Sequence, residues 1–117
     1  KLPLVYRNIG LAALRLGNFS ESLRMLQLAI TADAKDDRSR SLFVQTSLEW
    51  ARTLEKQGKL LQSAKVLEDA SSIAPENTDV HEALVSVYKK LGKPADAKRH
   101  AEQLKRLKAQ SEPTRSQ

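Results

Sequence analysis

The sequence predicts an all-α protein folded as a solenoid of three antiparallel helix pairs. One pattern occurs three times: a helix end, a glycine, a short turn and a new amphipathic helix, around Gly17, Gly58 and Gly92. Apolar and small residues also recur at fixed distances from these glycines. Helix–turn–helix units bury their apolar faces on their neighbours, so three units in a row indicate a helical repeat.

The spacing of the glycines defines the register of the repeats. The second and third glycines are 34 residues apart, and at this offset Trp50 coincides with Leu84. The first and second are 41 residues apart, and at this offset Ile9 coincides with Trp50. The first interval is therefore seven residues longer. We predict that these residues add two turns, roughly 10 Å, to the third helix.

Length and composition narrow the class of protein. A chain of 117 residues with 40% apolar residues fits one small domain with a continuous core. The absence of cysteine excludes a disulfide framework and thiolate metal sites. No apolar run approaches the roughly 18 residues of a membrane span. The chain begins at Lys1 rather than at methionine, so we expect a fragment, and its localisation stays open.

Apolar periodicity together with start and stop signals predicts six helices. Their ranges are about 3–16, 19–33, 38–57, 60–73, 77–91 and 94–109. Pro3 suits a first helical turn, and Asn18 caps the second helix with Glu21 completing a capping box. Asp36 or Asp37 caps the third helix.

The later boundaries follow from the same signals. Pro75 ends the fourth helix, Asn77 or Thr78 begins the fifth, and Pro94 opens the sixth. Together the helices make one domain over 1–109, with repeats at about 3–36, 37–76 and 77–109. Residues 110–117 lack apolar periodicity, and we predict that they form a disordered tail.

Small residues are expected where the two helices of a pair cross, because a close crossing excludes large side chains. The residues that fit this position are Gly10, Ser22, Ala51, Ser63 and Ala97. The three turn glycines lie just past a helix end. There the left-handed conformation is needed, which glycine adopts without a Cβ clash.

These positions resemble the tetratricopeptide repeat (TPR), a helical hairpin whose pattern runs aromatic-x-x-Leu-Gly-x-x-Tyr, then Gly-x-Tyr-x-x-Ala, then Phe, Ala and Pro. The matching residues of the three units are Tyr6, Ile9, Gly10, Ala13, Gly17, Phe19, Ser22, Leu26 and Ala29, then Trp50, Ala51, Leu54, Gly58, Leu60, Ser63, Leu67, Ala70 and Pro75, then Leu84, Tyr88, Gly92, Ala97, Ala101 and Leu104. The sequence departs from the pattern at Ser47 and His81, in the aromatic slot, and at Ala34, in place of proline. The resemblance implies a right-handed α-solenoid, a TPR-like superhelix, that serves protein–protein interaction.

In such a superhelix the first helix of each pair lines the concave face. By helical phase, the residues expected on this face are Arg7, Asn8, Leu11, Leu14, Gln45, Leu48, Glu49, Arg52, Ser86 and Lys89. Leucines framed by charges of both signs suit an extended peptide or a partner helix. Two alternatives stay open: the leucines pack between neighbouring helices, or the charges are only solvated.

One subclass of the family clamps a C-terminal carboxylate with Lys, Asn and Arg side chains. The matching positions here are Arg7, Leu11, Glu49, Asp79 and Ala83, and only Arg7 keeps the charge. Glu49 and Asp79 would repel a carboxylate. The sequence therefore argues against a carboxylate clamp.

The net charge of +6 is concentrated at one end of the chain. Residues 89–117 hold nine Lys or Arg against three acidic residues, which accounts for the whole excess. The basic patch consists of Lys98, Arg99, Lys105, Arg106 and Lys108. Such a patch can bind nucleic acid or an acidic partner, although a solvated helix face is the favoured interpretation. Nucleic acid is the less favoured partner, since no aromatic residue lies among these charges.

The first and last helices differ in polarity. The first is apolar nearly all round, which predicts burial by a preceding repeat or in a homodimer. The last has only a narrow apolar stripe, as a capping helix should. The residues of that stripe are Ala97, Ala101, Leu104 and Leu107.

Catalytic and metal motifs are incomplete. His81 and Glu82 begin like a zinc-protease helix, but Val85 stands where the second histidine is needed. His81 is predicted to pack, and His100, among charged residues, to be solvated. We therefore predict no enzyme, cofactor or metal, and a scaffold that binds a partner's peptide or helix in the concave groove. The alternatives are anionic-partner binding by the basic patch, or self-association within a longer repeat array.

Overall fold

The computed structural model describes residues 1–111, which form six helices. They are α1 (Leu2–Arg15), α2 (Phe19–Ala32), α3 (Asp37–Lys56), α4 (Leu60–Ile73), α5 (Thr78–Lys90) and α6 (Pro94–Ser111). All six predicted helices are present. Helix α6 runs to Ser111, so the first two residues of the tail placed at 110–117 are helical; the remainder of that predicted tail lies outside the described residues.

The helices form three antiparallel pairs, α1–α2, α3–α4 and α5–α6, which stack in chain order because α2 packs on α3 and α4 packs on α5. The stack is flat, with extents of 44 × 41 × 19 Å. The predicted all-α helical repeat solenoid is therefore confirmed. Its core runs through all three pairs and is centred on Leu26, Leu67 and Leu84, which have at most 1% of their surface exposed.

The turn within each pair depends on a left-handed glycine. The φ angles of Gly17, Gly58 and Gly92 are 77°, 77° and 71°. At the first turn the amide of Asn18 donates to the carbonyl of Ala13, at 2.8 Å, so the turn also satisfies a carbonyl at the helix end. This is the conformation that the glycine pattern predicts.

Small residues permit the close crossing of paired helices. A Cβ atom added to Gly10 would lie 2.8 Å from Cγ of Leu26, which is closer than any real contact of this kind. In the second pair Ala51 takes the equivalent place, and the Ser63 hydroxyl donates to the Ala51 carbonyl at 3.0 Å. The helices can therefore cross closely because the side chains at the crossing are small, and the buried Ser63 hydroxyl has a hydrogen-bond partner there.

The seven additional residues lie within α3, as predicted. Helix α3 has 20 residues, against 14 in α1 and 13 in α5. The connections that precede α3 and α5 have the same length, at 33–36 and 74–77. Seven residues are close to two full turns, so the added segment shifts the helical phase by only about 20°.

Side-chain caps fix three helix starts. Asn18, Asp36 and Asn77 accept hydrogen bonds from amides of the first turns of α2, α3 and α5. Among the alternatives left open by the sequence, Asp36 is the cap rather than Asp37, and Asn77 rather than Thr78. The reciprocal half of the predicted capping box is wrong: the Glu21 carboxylate pairs with Arg24 at 2.8 Å.

Asp36 joins α1 to the start of α3. Its carboxylate accepts from the amide and hydroxyl of Ser39 at 3.2 and 2.5 Å, and from Nη1 of Arg7 at 2.8 Å. Only 7% of the Asp36 side chain is exposed. Burial raises the pKa of Asp36, but the bonds from Ser39 and Arg7 outweigh burial, and the pKa lies below its ordinary value.

Ala70 has no exposed surface, and neither has its equivalent Ala29. Replacing Ala70 with Arg would bury a long, unpaired cation in a closed crossing, so we expect a loss of more than about 4 kcal/mol and an unfolded domain. Circular dichroism melting measures this. Gln62→Arg, on the exposed side of the same helix, is the control and should melt like the wild type. A melting temperature of Ala70→Arg within a few degrees of the wild type would contradict the assignment.

Asp36→Asn should destabilise the domain by about 1–2 kcal/mol at pH 7, since the amide keeps the cap acceptor but loses the charge facing Arg7. The lowered pKa of Asp36 fixes the pH dependence. Its stabilising contribution is complete above the unfolded value near pH 4 and disappears as the pH falls through the lower folded value.

Urea unfolding at pH 7 and pH 3 tests this expectation. The stability difference between wild type and Asp36→Asn should be present at pH 7 and smaller at pH 3, which lies below the unfolded value, because the unfolded chain then binds a proton at Asp36 and the folded protein loses the advantage of its lowered pKa. Asp37→Asn is the matched control, because the Asp37 side chain is 92% exposed. An equal loss in both variants would contradict a specific role of Asp36.

Candidate functional site

A hollow lies between α1 and the first turns of α3, with a volume of about 500 Å³. Its apolar lining consists of three leucines, of which Leu4 is 47% exposed and Leu11 and Leu42 are half-buried. The polar residues at its edge are Arg7, Asn8, Asp37, Arg38 and Ser41. We call this feature the α1–α3 hollow.

The α1–α3 hollow exists because α3 is long. All four of its α3 residues lie in the first two turns of that helix, at positions 37, 38, 41 and 42. A second hollow, of about 400 Å³, lies between the same turns and the α4–α5 connection, and it is lined by Arg40, Val44, Glu76 and Asn77 among others. The added turns of α3 therefore stand between two hollows.

The polar edge of the α1–α3 hollow is organised by ion pairs. Arg7 holds Asp36 at 2.8 Å, and only 19% of its side chain is exposed. Asp37 pairs with Arg40 at 3.3 Å. Arg38 is exposed. The charges of Arg7 and Asp37 are thus balanced by neighbouring side chains. Within residues 1–111, Arg38 forms no ion pair.

The predicted concave residues divide into three groups. Arg7, Asn8 and Leu11 line the α1–α3 hollow. Leu14 is buried, and Leu48 is half-buried against the core, so these two leucines pack within the domain. The remaining residues lie elsewhere on α3 and α5, exposed or half-exposed, and are Gln45, Glu49, Arg52, Ser86 and Lys89. Nε2 of Gln45 donates to Glu49 at 3.3 Å, which ties these two side chains to each other.

Sequence analysis missed the α3 half of the hollow. Arg38 and Ser41 precede Gln45 by seven and four residues, and Leu42 precedes Glu49 by seven. They therefore share the helical phase of residues that were assigned to the concave face. Extending that phase through the two predicted additional turns is the signal that would have found them.

The basic patch is partly neutralised. Nη2 of Arg99 lies 3.1 Å from Glu68 and 3.5 Å from Asp96, and Nζ of Lys108 lies 3.5 Å from Glu82. The other three cations, Lys98, Lys105 and Arg106, are exposed. The structure thus offers a phosphate backbone fewer unpaired charges than the sequence suggests.

Two predictions for α6 are wrong. His100 was predicted to be solvated, but it is 2% exposed and contacts His81 and Glu68. Ala101 was placed on the apolar stripe, but it is exposed. The buried side of α6 instead follows Ala97 and His100. His81, which was predicted to pack, is 3% exposed.

Glu68 lies at a junction of three hydrogen-bond donors. Burial raises the pKa of Glu68, but hydrogen bonds from Tyr88, His100 and Arg99 outweigh it, so the pKa lies below its ordinary value. Burial and the Glu68 carboxylate together raise the pKa of the Tyr88 hydroxyl above its ordinary value. Glu68 is therefore an ionised acceptor at neutral pH, and Tyr88 is a donor.

The outer side of α1 is apolar and exposed. Leu2, Val5 and Ile9 have 56%, 49% and 44% of their surface exposed. At the offset of 41 residues they correspond to Phe43, Thr46 and Trp50, which are covered by the preceding pair: Phe43 is buried, the Thr46 hydroxyl bonds Ser22, and Trp50 stacks on Phe19. Coverage of α1 by a preceding repeat or by a second copy stays a prediction.

Within residues 1–111, three or more His, Asp or Glu side chains nowhere come together as a group that could hold a metal ion. In the same part of the chain, none of the helices has the length and apolar character needed to cross a membrane.

Comparison with known proteins identifies the fold. No protein-family model matches the chain, and a search of the curated proteins finds no match. Among solved structures, the chain is similar to one described as "MamA MSR-1 C2", with a TM-score of 0.53 and 16% identity over 92% of this chain and 78% of that one. It is also similar to "Second TPR of Spaghetti (RPAP3) bound to HSP90 peptide SRMEEVD", with a TM-score of 0.53 and 17% identity over 92% and 93%. The fold of this chain is therefore that of a TPR-like helical repeat protein.

Proposed function

We propose that this chain is a protein-interaction scaffold that binds an extended peptide or a helix of a partner protein in the α1–α3 hollow. The observation that carries the proposal is the composition of the hollow: three accessible leucines within a polar edge. Apolar anchors in a concave site provide affinity, and surrounding polar groups fix the orientation of a ligand. Leu4, Leu11 and Leu42 are the proposed anchor contacts.

The exposed surface beyond the hollow extends the proposed site. Arg52 on α3 and Ser86 and Lys89 on α5 are exposed, and they were assigned by helical phase to the same concave face. They would contact a ligand that runs past the hollow towards α5. Because they are separate from the leucines, we expect them to influence the choice of partner more than the binding energy.

A relative with this fold holds a peptide, which supports the proposal. The second TPR of Spaghetti (RPAP3) is described as bound to the HSP90 peptide SRMEEVD. In the present chain Glu49 and Asp79 stand where a carboxylate clamp would need neutral or cationic groups, so a ligand held by its C-terminal carboxylate is disfavoured. We infer that the ligand is an internal segment with apolar side chains.

The proposal assigns binding and not catalysis to this surface. Two of the three charged groups that line the hollow are in ion pairs, since Arg7 pairs with Asp36 and Asp37 pairs with Arg40; the third, Arg38, is a guanidinium that stays protonated. A general acid or base must be free to exchange a proton with a substrate, and carboxylates held in ion pairs with guanidinium groups are poor candidates.

Selection from a random peptide library, followed by methyl NMR of the selected complexes, tests the proposed site. Selected peptides should shift the methyl signals of Leu4, Leu11 and Leu42. Leu11→Asp should weaken their binding at least about tenfold, because it places a charge against an apolar anchor. Leu61→Asp is the control: Leu61 is 66% exposed and does not line the hollow, so this variant should bind like the wild type.

A second variant distinguishes the loss of binding from the loss of the fold. Ser41 is exposed at the edge of the hollow, so Ser41→Lys obstructs the site without changing the core. Normal melting with lost binding in Ser41→Lys would support the proposal. Peptides that shift residues of α6 instead, and that dissociate as salt rises, would move the function to the basic patch and contradict it.

A further inference from the structure

A cluster of buried and half-buried polar side chains joins the last three helices, away from the α1–α3 hollow. It consists of Glu68 on α4, His81 and Tyr88 on α5, and His100 on α6. His81 and His100 are 3% and 2% exposed, and their ring centroids are 5.1 Å apart. A buried, titratable pair of this kind must satisfy every ring nitrogen internally, because water does not reach it.

The four ring nitrogens form a continuous chain of hydrogen bonds. Nε2 of His81 lies 2.8 Å from the carbonyl oxygen of Pro75. Nδ1 of His81 lies 2.9 Å from Nδ1 of His100. Nε2 of His100 lies 3.0 Å from Oε2 of Glu68, which also accepts from the hydroxyl of Tyr88 at 2.5 Å and from Arg99 at 3.1 Å.

Counting protons along this chain gives the charge of the pair. A carbonyl oxygen only accepts, so Nε2 of His81 carries a proton. Glu68 is an ionised carboxylate, which only accepts, so Nε2 of His100 carries a proton as well. The contact between the two Nδ1 atoms needs one proton, on either ring. Three protons on two imidazoles amount to one positive charge, since two neutral rings hold two protons.

We propose that His81 and His100 share one extra proton, and that this proton acts as a pH-dependent latch holding α6 on α4 and α5. The hydrogen bonds connect all three helices and the α4–α5 connection. Because the two Nδ1 atoms face each other at 2.9 Å, the extra proton belongs to the pair rather than to either ring. The latch is closed when the pair carries a single charge.

Loss of the shared proton opens the latch at higher pH. A neutral pair can make only two of the three hydrogen bonds, and the third contact then sets two lone pairs against each other within a buried cluster. If the bond to Glu68 is the one lost, its carboxylate faces an unprotonated nitrogen at 3.0 Å. A folded state that holds a proton which the unfolded chain releases becomes less stable as the pH rises.

Gain of a second proton opens the latch at low pH. Two N–H groups would then face each other across 2.9 Å, on two charged rings. The groups that face the pair are Glu68 from α4, Tyr88 from α5, and Asp96 and Arg99 from α6 itself. Glu68 already balances the first charge, and Arg99 adds another cation, so a second histidine charge has no counterpart of its own.

Opening of the latch would release helix α6 from α5 and change the exposed surface of the domain. Helix α6 carries the basic patch, and through Ala97 it covers part of α5. Undocking would expose the side of α5 that α6 covers in the closed form.

NMR of the ring nitrogens tests the proton count directly. The chain contains only these two histidines, so their signals are unambiguous. At pH 7 we expect three protonated ring nitrogens, with one proton correlated to both Nδ1 atoms. Two neutral rings, each with one proton at this pH, would overturn the proposal. This measurement uses the wild-type chain and does not depend on any variant.

Hydrogen exchange tests the latch. The protection of α6 amides relative to α2 amides should be highest when the pair holds one proton, and should fall by about tenfold per pH unit once that proton leaves. Taking the ratio to α2 removes the intrinsic pH dependence of exchange. His100→Gln removes the contact between the two Nδ1 atoms and leaves only His81, so its ratio should change with pH less than that of the wild type. A wild-type ratio that is constant between pH 5 and pH 9 would overturn the latch, whether or not the variant folds.

Discussion

The close approach of the two helices within each pair is the constraint on which this structure depends. A methyl group at Gly10 would already collide with Leu26, whose side chain is fully buried. A pair packed this closely is thin, and it leaves an apolar face that only the next pair can cover. The stacking of three pairs, the flat shape of the molecule and the concave surface all follow from this crossing.

The long third helix is compatible with this packing because of its length in residues. Seven residues are nearly two turns, so the apolar side of α3 continues to face its neighbours. An insertion of five residues would rotate that side by about 140° and expose it. The added turns therefore extend beyond the shared core without disturbing it, and they provide Ser41 and Leu42 to the α1–α3 hollow. A repeat length changed by seven residues thus creates a hollow while the fold is kept.

Features that recur or that act over a few residues could be predicted from the sequence. The helices, the left-handed glycines, the caps and the small residues at the crossings are of this kind. His100 could not be predicted from its neighbours in sequence, which are charged, because its partners Glu68 and His81 are 32 and 19 residues away. The helical phase of His100 would have predicted its burial. His100 lies between Ala97 and Leu104 at intervals of three and four residues, on the buried side of α6. The assignment of Leu14 to the groove had a similar cause, since phase alone does not separate the concave face from the core that adjoins it.

The first and last pairs of the stack are stabilised in different ways. The outer side of helix α1 is apolar and exposed. Apolar side chains have no directional contacts, so only complementarity of shape would position another element on this side. Among the helices of residues 1–111, α6 packs its backbone closely only against α5. A helix held on one side by small apolar contacts can slide or rotate at low cost, whereas His100 bonds His81 and Glu68 together in only one position. Buried polar groups contribute less net stability than apolar packing of the same volume, but they penalise every alternative register. The polar cluster thus defines the position of α6, while the apolar core supplies the stability that the position requires.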